Sequence, residues 1–253
     1  MPKAENACVS KKRYLKMLAF ILPESYMREK STLKQGCSKM KSVENRFSSY
    51  LFGIAVWIAL CPLAIASNNF VAIQLPKSVQ IELPRNWKAL SNNQIITLDS
   101  ATQSITERAG IFDASSELNF GANYYDDLRK TAALMSVRYY PDLDVSQAQA
   151  NSSGASDIRE LDIALRESMV KAAQINGWSV LVWKGTIKQV INGITLFITE
   201  YKRSPVNNNG NFIVRLVRVF NGAKSFTMTV SYRENQEYLL RPICDRIISS
   251  LRN

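Results

Sequence analysis

Residues 178–232 read WSVLVWKGTIKQVINGITLFITEYKRSPVNNNGNFIVRLVRVFNGAKSFTMTVSY, and this stretch decides the fold class. Asn192-Gly193 and Asn221-Gly222 each separate two apolar runs, and Asn-Gly readily supplies the two positive-φ residues of a type I′ hairpin turn. Between the hairpins, residues 204–210 read as a longer loop. The prediction is a four-strand antiparallel meander over about 178–191, 194–202, 211–220 and 224–232. A period of two assigns the faces. In the last strand Phe226, Met228, Val230 and Tyr232 alternate with Ser225, Thr227, Thr229 and Ser231, giving one buried and one polar face. In the strand before it, Phe212, Val214, Leu216 and Phe220 oppose Ile213, Val217 and Val219. That strand is apolar on both faces and is expected to be central and covered on both sides.

Working outward, further strands are predicted at about 79–84, 94–98, 118–125 and 131–140. In the last of these Ala133, Met135, Val137 and Tyr139 share a face opposite Leu134, Ser136, Arg138 and Tyr140. Residues 157–174 carry an apolar stripe of Ile158, Leu161, Leu165, Met169 and Ala172 and read as a helix, with Asp157 and Glu160 as a capping box and Asn176-Gly177 as its stop. A C-terminal helix presents Leu240, Ile243, Cys244, Ile247 and Leu251, its regular part starting near Pro242. A short helix over 101–109, capped by Ser100 and Gln103 and stopped by Gly110, completes the pattern, and 146–156 reads as a loop. The expected fold class is α+β: a central antiparallel sheet of about six to eight strands with helices packed on its faces, forming a single domain over 67–253.

This order of elements resembles the PsbP-like and DcrB-like α/β sandwich superfamily, a group that also includes a Ran-binding nuclear import factor. The resemblance covers about residues 75–252 and extends to phrases such as VRVFNGAKSFTMTVSYRE at 217–234. It implies a PsbP-like sandwich and an accessory or binding role on the lumenal or periplasmic side of a membrane. It supplies no catalytic motif, so no functional residue is carried over from it.

The N-terminal quarter speaks to compartment. Tyr50 to Ala66 is YLFGIAVWIALCPLAIA, seventeen residues without a charge, short of the roughly 20 that a spanning helix needs. Pro62 and the small-x-small sequence Ala64-Ile65-Ala66 end it as a signal-peptidase site would, with cleavage between Ala66 and Ser67. Lys41 and Arg46 give a positive start if translation begins at Met40. On that preferred reading residues 1–39 are a mis-called extension. The alternative is a basic cytoplasmic tail followed by an uncleaved anchor. Both readings place 67–253 outside the cytoplasm, and Leu60 before Cys61 argues against a lipoprotein. Three of the four cysteines, Cys8, Cys37 and Cys61, precede the junction. Cys244 remains, an inert core thiol on the stripe of the last helix.

Composition excludes more than it assigns. The chain has 253 residues and no histidine, so it builds no Ser-His-Asp or Cys-His dyad, no H-E-x-x-H zinc site and no His-ligated haem. It contains no G-x-x-x-x-G-K-[ST], G-x-G-x-x-G or G-x-S-x-G. Of the net +11, residues 1–66 hold +7 and residues 67–253 hold +4, which makes no case for nucleic acid. No cofactor and no metal is called.

Two places in the domain invite a binding reading. Arg218 interrupts an apolar strand face, and a buried cation needs a partner; a structural pairing with an acid such as Glu200 is expected, against an anionic ligand. Arg138, Tyr140, Asp142 and Asp144 form the densest polar cluster, with Arg138 and Tyr140 on one face and the aspartates at the strand end. Two local carboxylates fall short of the six or more oxygens a hard cation takes, so a solvated loop is expected. Trp178 and Trp183, five apart, fall on opposite faces of a regular strand and read with Trp87 as core rather than as a sugar platform. Asn151-Ser152-Ser153 is a formal glycosylation sequon in the polar loop. The function expected is an exported, non-enzymatic accessory or binding protein of the envelope or lumen, acting on a protein partner. Touching the membrane is expected only through residues 50–66, if uncleaved. The alternative is a small-molecule or divalent-cation binder using Arg138, Tyr140, Asp142 and Asp144; a third class is a His-independent hydrolase with two carboxylates in one cleft.

Overall fold

The computed structural model describes residues 69–108, 116–205 and 210–252. The leader, the Ala66/Ser67 junction, Gly110 and the centre of the 204–210 loop lie outside the described residues. The meander forms as read: β6 (Val180–Ile191), β7 (Ile194–Arg203), β8 (Phe212–Val219) and β9 (Ser225–Arg233) pair antiparallel in sequence order. Asn192 and Gly193 take φ 50° and 79°, as a type I′ turn requires. At the second hairpin only Gly222 is positive, at φ 55°, and the connection spans 220–224, so this turn is longer than two residues. Its geometry is held by Ser225, whose hydroxyl accepts from the Asn221 N–H at 2.8 Å and donates to the Gly222 carbonyl at 2.6 Å.

β9 pairs in turn with β5 (Thr131–Tyr140), β5 with β4 (Glu117–Tyr125), and β4 with β3 (Lys88–Ala89). The result is a seven-stranded antiparallel sheet in the order β3-β4-β5-β9-β8-β7-β6. The predicted strand at 79–84 exists as β2 (Gln80–Pro84) but pairs outside the main sheet, with β1 (Phe70–Gln74). Helices cover both faces, and β8 and β9 lie at the centre.

One face is a sealed core. Ala133, Met135 and Val137 of β5, with Met228, Val230 and Tyr232 of β9, are fully buried beneath α4 (Glu237–Ser249) and the β1–β2 hairpin. Cys244 lies within it, its thiol pushed up to about 12 by burial. The last helix starts earlier than expected and contains Pro242. Proline removes one hydrogen bond from the second turn; the first turn is pinned instead by Arg241, which bonds Glu237 and Glu200, each at 2.7 Å.

The other face carries α1 (Asn92–Arg108), α2 (Gln147–Ser152) and α3 (Ala155–Ile175). Three readings are corrected here. Residues 94–98, read as a strand from Ile95, Ile96 and Thr97, are the start of α1, capped not at Ser100 but by Ser91 and Gln94, whose amide oxygen accepts from the Ser91 N–H at 2.9 Å. The 146–156 loop contains α2, capped by Ser146 with Gln149, and the sequon falls on its end with Ser153 buried. Asp157 caps α3 from inside the first turn, accepting from the Gly154 N–H at 2.8 Å.

Candidate ligand-binding cavity

Among the described residues, the α1–α3 face does not close into one core. Its apolar residues fall into two clusters, one around Leu161, Leu165, Phe197 and Phe220, the other around Tyr201, Val214 and Leu216. A cavity of about 370 Å³ lies at this face, within the size range of small-molecule sites, roughly 300–1,000 Å³. Leu98, Thr102 and Ile105 of α1 and Leu165, Ser168 and Met169 of α3 wall it on the helical side.

The floor is the sheet, and it is polar where the sequence pattern assigns water. Thr227 and Thr229 of β9 and Ser136 of β5 line the cavity. The polar face of β9 is therefore covered: Ser225 and Ser231 are buried, and the two threonines are half-buried. Register sets the chemistry of this floor. Thr227 lies opposite Arg138 on one side and opposite Arg218 on the other, so Arg138, Thr227 and Arg218 form one row across β5, β9 and β8. The next row is Ser136, Thr229 and Leu216. Strands sit about 4.8 Å apart, so the two arginines flank Thr227 on one face of neighbouring strands. Both line the cavity, and among its described lining residues they are the only charged side chains.

Arg138 is the more deeply buried of the two, 8% exposed. Asp99 of α1 holds its guanidinium at 2.6 Å, and Nη1 donates to the Ser116 hydroxyl at 3.0 Å. The acid expected for Arg218 is elsewhere. Glu200 stands opposite Arg215 in the β7–β8 ladder and bonds Lys184, Arg215 and Arg241. Alternation along β8 puts Arg215 and Arg218 on opposite faces of the sheet, which is why the proposed Glu200 pairing does not form. On the Arg218 face, the Tyr201 phenol is pushed up to about 12 by burial, a rise that the charges of Arg203 and Arg218 oppose.

Of the other residues singled out, Tyr140 joins the cavity wall. Asp142 and Asp144 do not; both are exposed beyond the end of β5. Among the described residues no group of three or more His, Cys, Asp or Glu side chains could hold a metal ion. The tryptophans stand differently from the expectation. Register shifts between Val180 and Val182 and between Trp183 and Gly185 break the alternation of β6, so Trp178 and Trp183 pack against the same cluster. Trp178 lines the cavity, whereas Trp183 stacks on Tyr201 at 5.6 Å and donates to Asp162 at 3.0 Å. Trp87 belongs to the sealed core.

The sequence reading missed α1's share of the site, Asp99 included. The signals were present: Ser91-x-x-Gln94 is a capping pattern, and Leu98, Thr102 and Ile105 recur at helical spacing.

No protein-family model matches the chain, and no curated protein matches it. Solved structures similar to it include cyanobacterial PsbP from Synechocystis sp. PCC 6803, with 12% identity, 75% of this chain and 95% of that chain covered, and a TM-score of 0.46. LpqN of Mycobacterium tuberculosis, involved in cell envelope biogenesis, shares 11% identity over 72% of this chain and 88% of its own, with a TM-score of 0.37. PA94 from Pseudomonas aeruginosa, a protein of unknown function, shares 11% over 73% and 97%, with a TM-score of 0.32. These are likenesses of fold, and the PsbP-like resemblance read from the element order is met again in them. Among the described residues no helix is long and apolar enough to cross a membrane.

Proposed function

We propose that this chain is an exported accessory protein that works by binding, and that its working site is the cavity between α1, α3 and the sheet. One observation carries the reading: a face of the sheet that its sequence marks as solvent-exposed is roofed by helices, and the described residues leave a cavity of about 370 Å³ beneath them. A layer meant only for stability would place Leu or Val at Ser136, Thr227 and Thr229, because well-packed interiors leave few voids larger than a water molecule. Here hydroxyls project into space enclosed largely by apolar side chains, the mixture typical of small-molecule sites. Export is supported by the uncharged segment 50–66 and by the start of β1 at Phe70, close behind the expected junction. A protein partner outside the cytoplasm, to which the bound molecule is presented, completes the accessory role.

The test uses the neutral dye N-phenyl-1-naphthylamine, which fluoresces on leaving water. Purified protein is expected to take it up saturably, with energy transfer from Trp178 on the cavity wall. Ser136→Phe should fill the space and weaken uptake by about tenfold or more, at a stability cost of about 1–3 kcal/mol. Absence of uptake, or uptake indifferent to Ser136→Phe in a folded variant, would overturn the cavity as the working site.

A further inference from the structure

We infer that the outer edge of β6 docks a second copy of this chain, the two β6 strands pairing antiparallel about Gln189 so that the sheets of both copies join. This goes beyond the cavity reading and does not depend on it. The sheet ends in β3 on one side and β6 on the other. β3 is two residues long, too short to hold another strand. β6 has twelve residues, and among the described residues it pairs with β7 alone. Such an edge is a template for a further strand unless it is blocked. Apolar side chains run along it: Leu181 is 47% exposed, Val182 42%, and Ile187 and Val190 59% each. Lysine commonly guards such edges, but both lysines of β6 are turned back onto their own fold. Lys184 bonds Glu200 at 2.5 Å, and Lys188 donates to the carbonyls of Asn151 and Ser153 at 3.1 and 2.6 Å.

Symmetry and register choose the occupant. Ile191 and Ile194 flank the two-residue turn and close the hairpin as a hydrogen-bonded pair. By alternation Gln189 and Ile187 also turn their backbone groups toward β7, so those of Thr186, Lys188 and Val190 face outward. Gly185, at φ 97°, and the register shift beside Trp183 bound the regular stretch at one end, and the Asn192-Gly193 turn bounds it at the other. Two antiparallel copies in one sheet are related by a two-fold axis perpendicular to it, which sets one residue opposite its own copy. In the middle of 186–191 that residue is Lys188 or Gln189. Centring on Lys188 opposes two like charges. Centring on Gln189 sets Ile187 opposite Ile191 of the other copy on one face, and Lys188 opposite Val190 on the other face. Lys188 and Val190 are residues whose backbone groups face outward, so each such pair can exchange both hydrogen bonds. Ile191 already packs against the sealed core, and Ile187 of the other copy extends that core across the junction. The edge therefore meets its own sequence with apolar residues facing apolar ones and no charge clash, and this self-match is what names a second copy.

The test reads both association and register on the purified full chain. Sedimentation is expected to show a dimer that dissociates on dilution toward about 1 μM, the strength of a small interface. Val190→Pro removes an outward N–H that β7 does not use, a change that an edge strand accepts. Ile187→Glu sets a charge against Ile191 of the other copy. Each should raise the dissociation constant about tenfold or more. If Val190→Pro does not fold by circular dichroism, Ile187→Glu still decides, because Ile187 is more than half exposed in the single copy. Register is read by cross-linking with Cys8→Ser, Cys37→Ser and Cys61→Ser in place, which leaves the buried Cys244 as the native thiol. In Gln189→Cys the central pair stands with Cα atoms about 4.5 Å apart, within reach of a disulfide. Mild oxidation is expected to join this variant and not Lys188→Cys, whose two copies lie out of register. A monomer at every concentration with no cross-link at position 189 overturns the pairing. A dimer indifferent to both substitutions, or a cross-link at 188 in place of 189, overturns it as well. So does a strand of another protein cross-linked to Gln189→Cys in cells while the purified chain stays monomeric.

Discussion

Three cations converge on Glu200: Lys184 at 2.5 Å, Arg241 at 2.7 Å and Arg215 at 3.6 Å. Burial alone would raise its pKa, but hydrogen bonds from Arg241 and Lys184 outweigh burial and hold the carboxyl below its ordinary value of 4.5. The unfolded chain therefore takes up the proton first as the pH falls. The stability this group contributes is fully present above its ordinary value and is lost as the pH drops through the lower, folded value. Glu200→Gln is expected to cost about 1–3 kcal/mol at neutral pH, leaving partly buried cations without their charge partner. Urea unfolding at a series of pH values should show the gap between variant and native protein closing below pH 4.5. A gap that stays constant would mean that Glu200 acts through packing and not through charge. At this scale the sequence was informative but mispaired its residues. Arg218 stood out because it breaks an apolar face, and Arg138 because it sits among aromatics, yet neither fact reveals that register sets them on either side of Thr227. Glu200 was the wrong partner for Arg218 because strand alternation puts it across the sheet. Asp142 and Asp144 entered the cluster through chain adjacency alone, and the end of β5 turns them out to solvent.

Elements with a strict period were legible, and elements with a mixed one were not. β9 alternates cleanly, β8 is an apolar run bounded by turn residues, and α3 repeats its apolar positions at helical spacing, so each was read within a few residues of its observed bounds. α1 opens with Ile95, Ile96 and Thr97, β-branched residues that favour strands, and only its capping side chains and its place on the sheet make it helical. That history bears on its dynamics. α1 lines the cavity left by the described residues, and the Asp99–Arg138 pair at 2.6 Å ties its middle to the sheet floor. Asp99→Asn should therefore loosen the helix locally. Amide hydrogen exchange in α1 is expected to accelerate about tenfold or more, with β8 and β9 unchanged. Equal acceleration in β8 and β9 would show that α1 opens only with the whole domain, and a ligand would then have to enter by another route.

At the scale of the molecule the two faces of the sheet divide the work. The face under α4 and the β1–β2 hairpin is close-packed and supplies stability; the face under α1 and α3 keeps a polar-floored space, and its openness is affordable because the other face is sealed. Sequence patterning shows the first directly, since buried apolar residues alternate there without interruption. It cannot show the second, because a hydroxyl facing water and a hydroxyl facing a cavity leave the same trace. All of the cavity's described lining residues lie beyond the junction at Ala66 and Ser67, between Leu98 and Thr229, so cleavage there would cost the site nothing. It would also change the charge of the molecule, because +7 of the net +11 belongs to residues 1–66. A protein that kept that basic leader would be drawn to anionic membrane surfaces by its tail. Released, it would depend on the cavity alone. N-terminal sequencing of the protein from fractionated cells is expected to return a soluble product beginning at Ser67. A membrane-bound product retaining residues before Tyr50 would establish the anchor instead and confine ligand capture to the membrane surface. A full-length product in the cytoplasmic fraction would overturn export, and the cavity would then have to be matched to molecules of the cell interior.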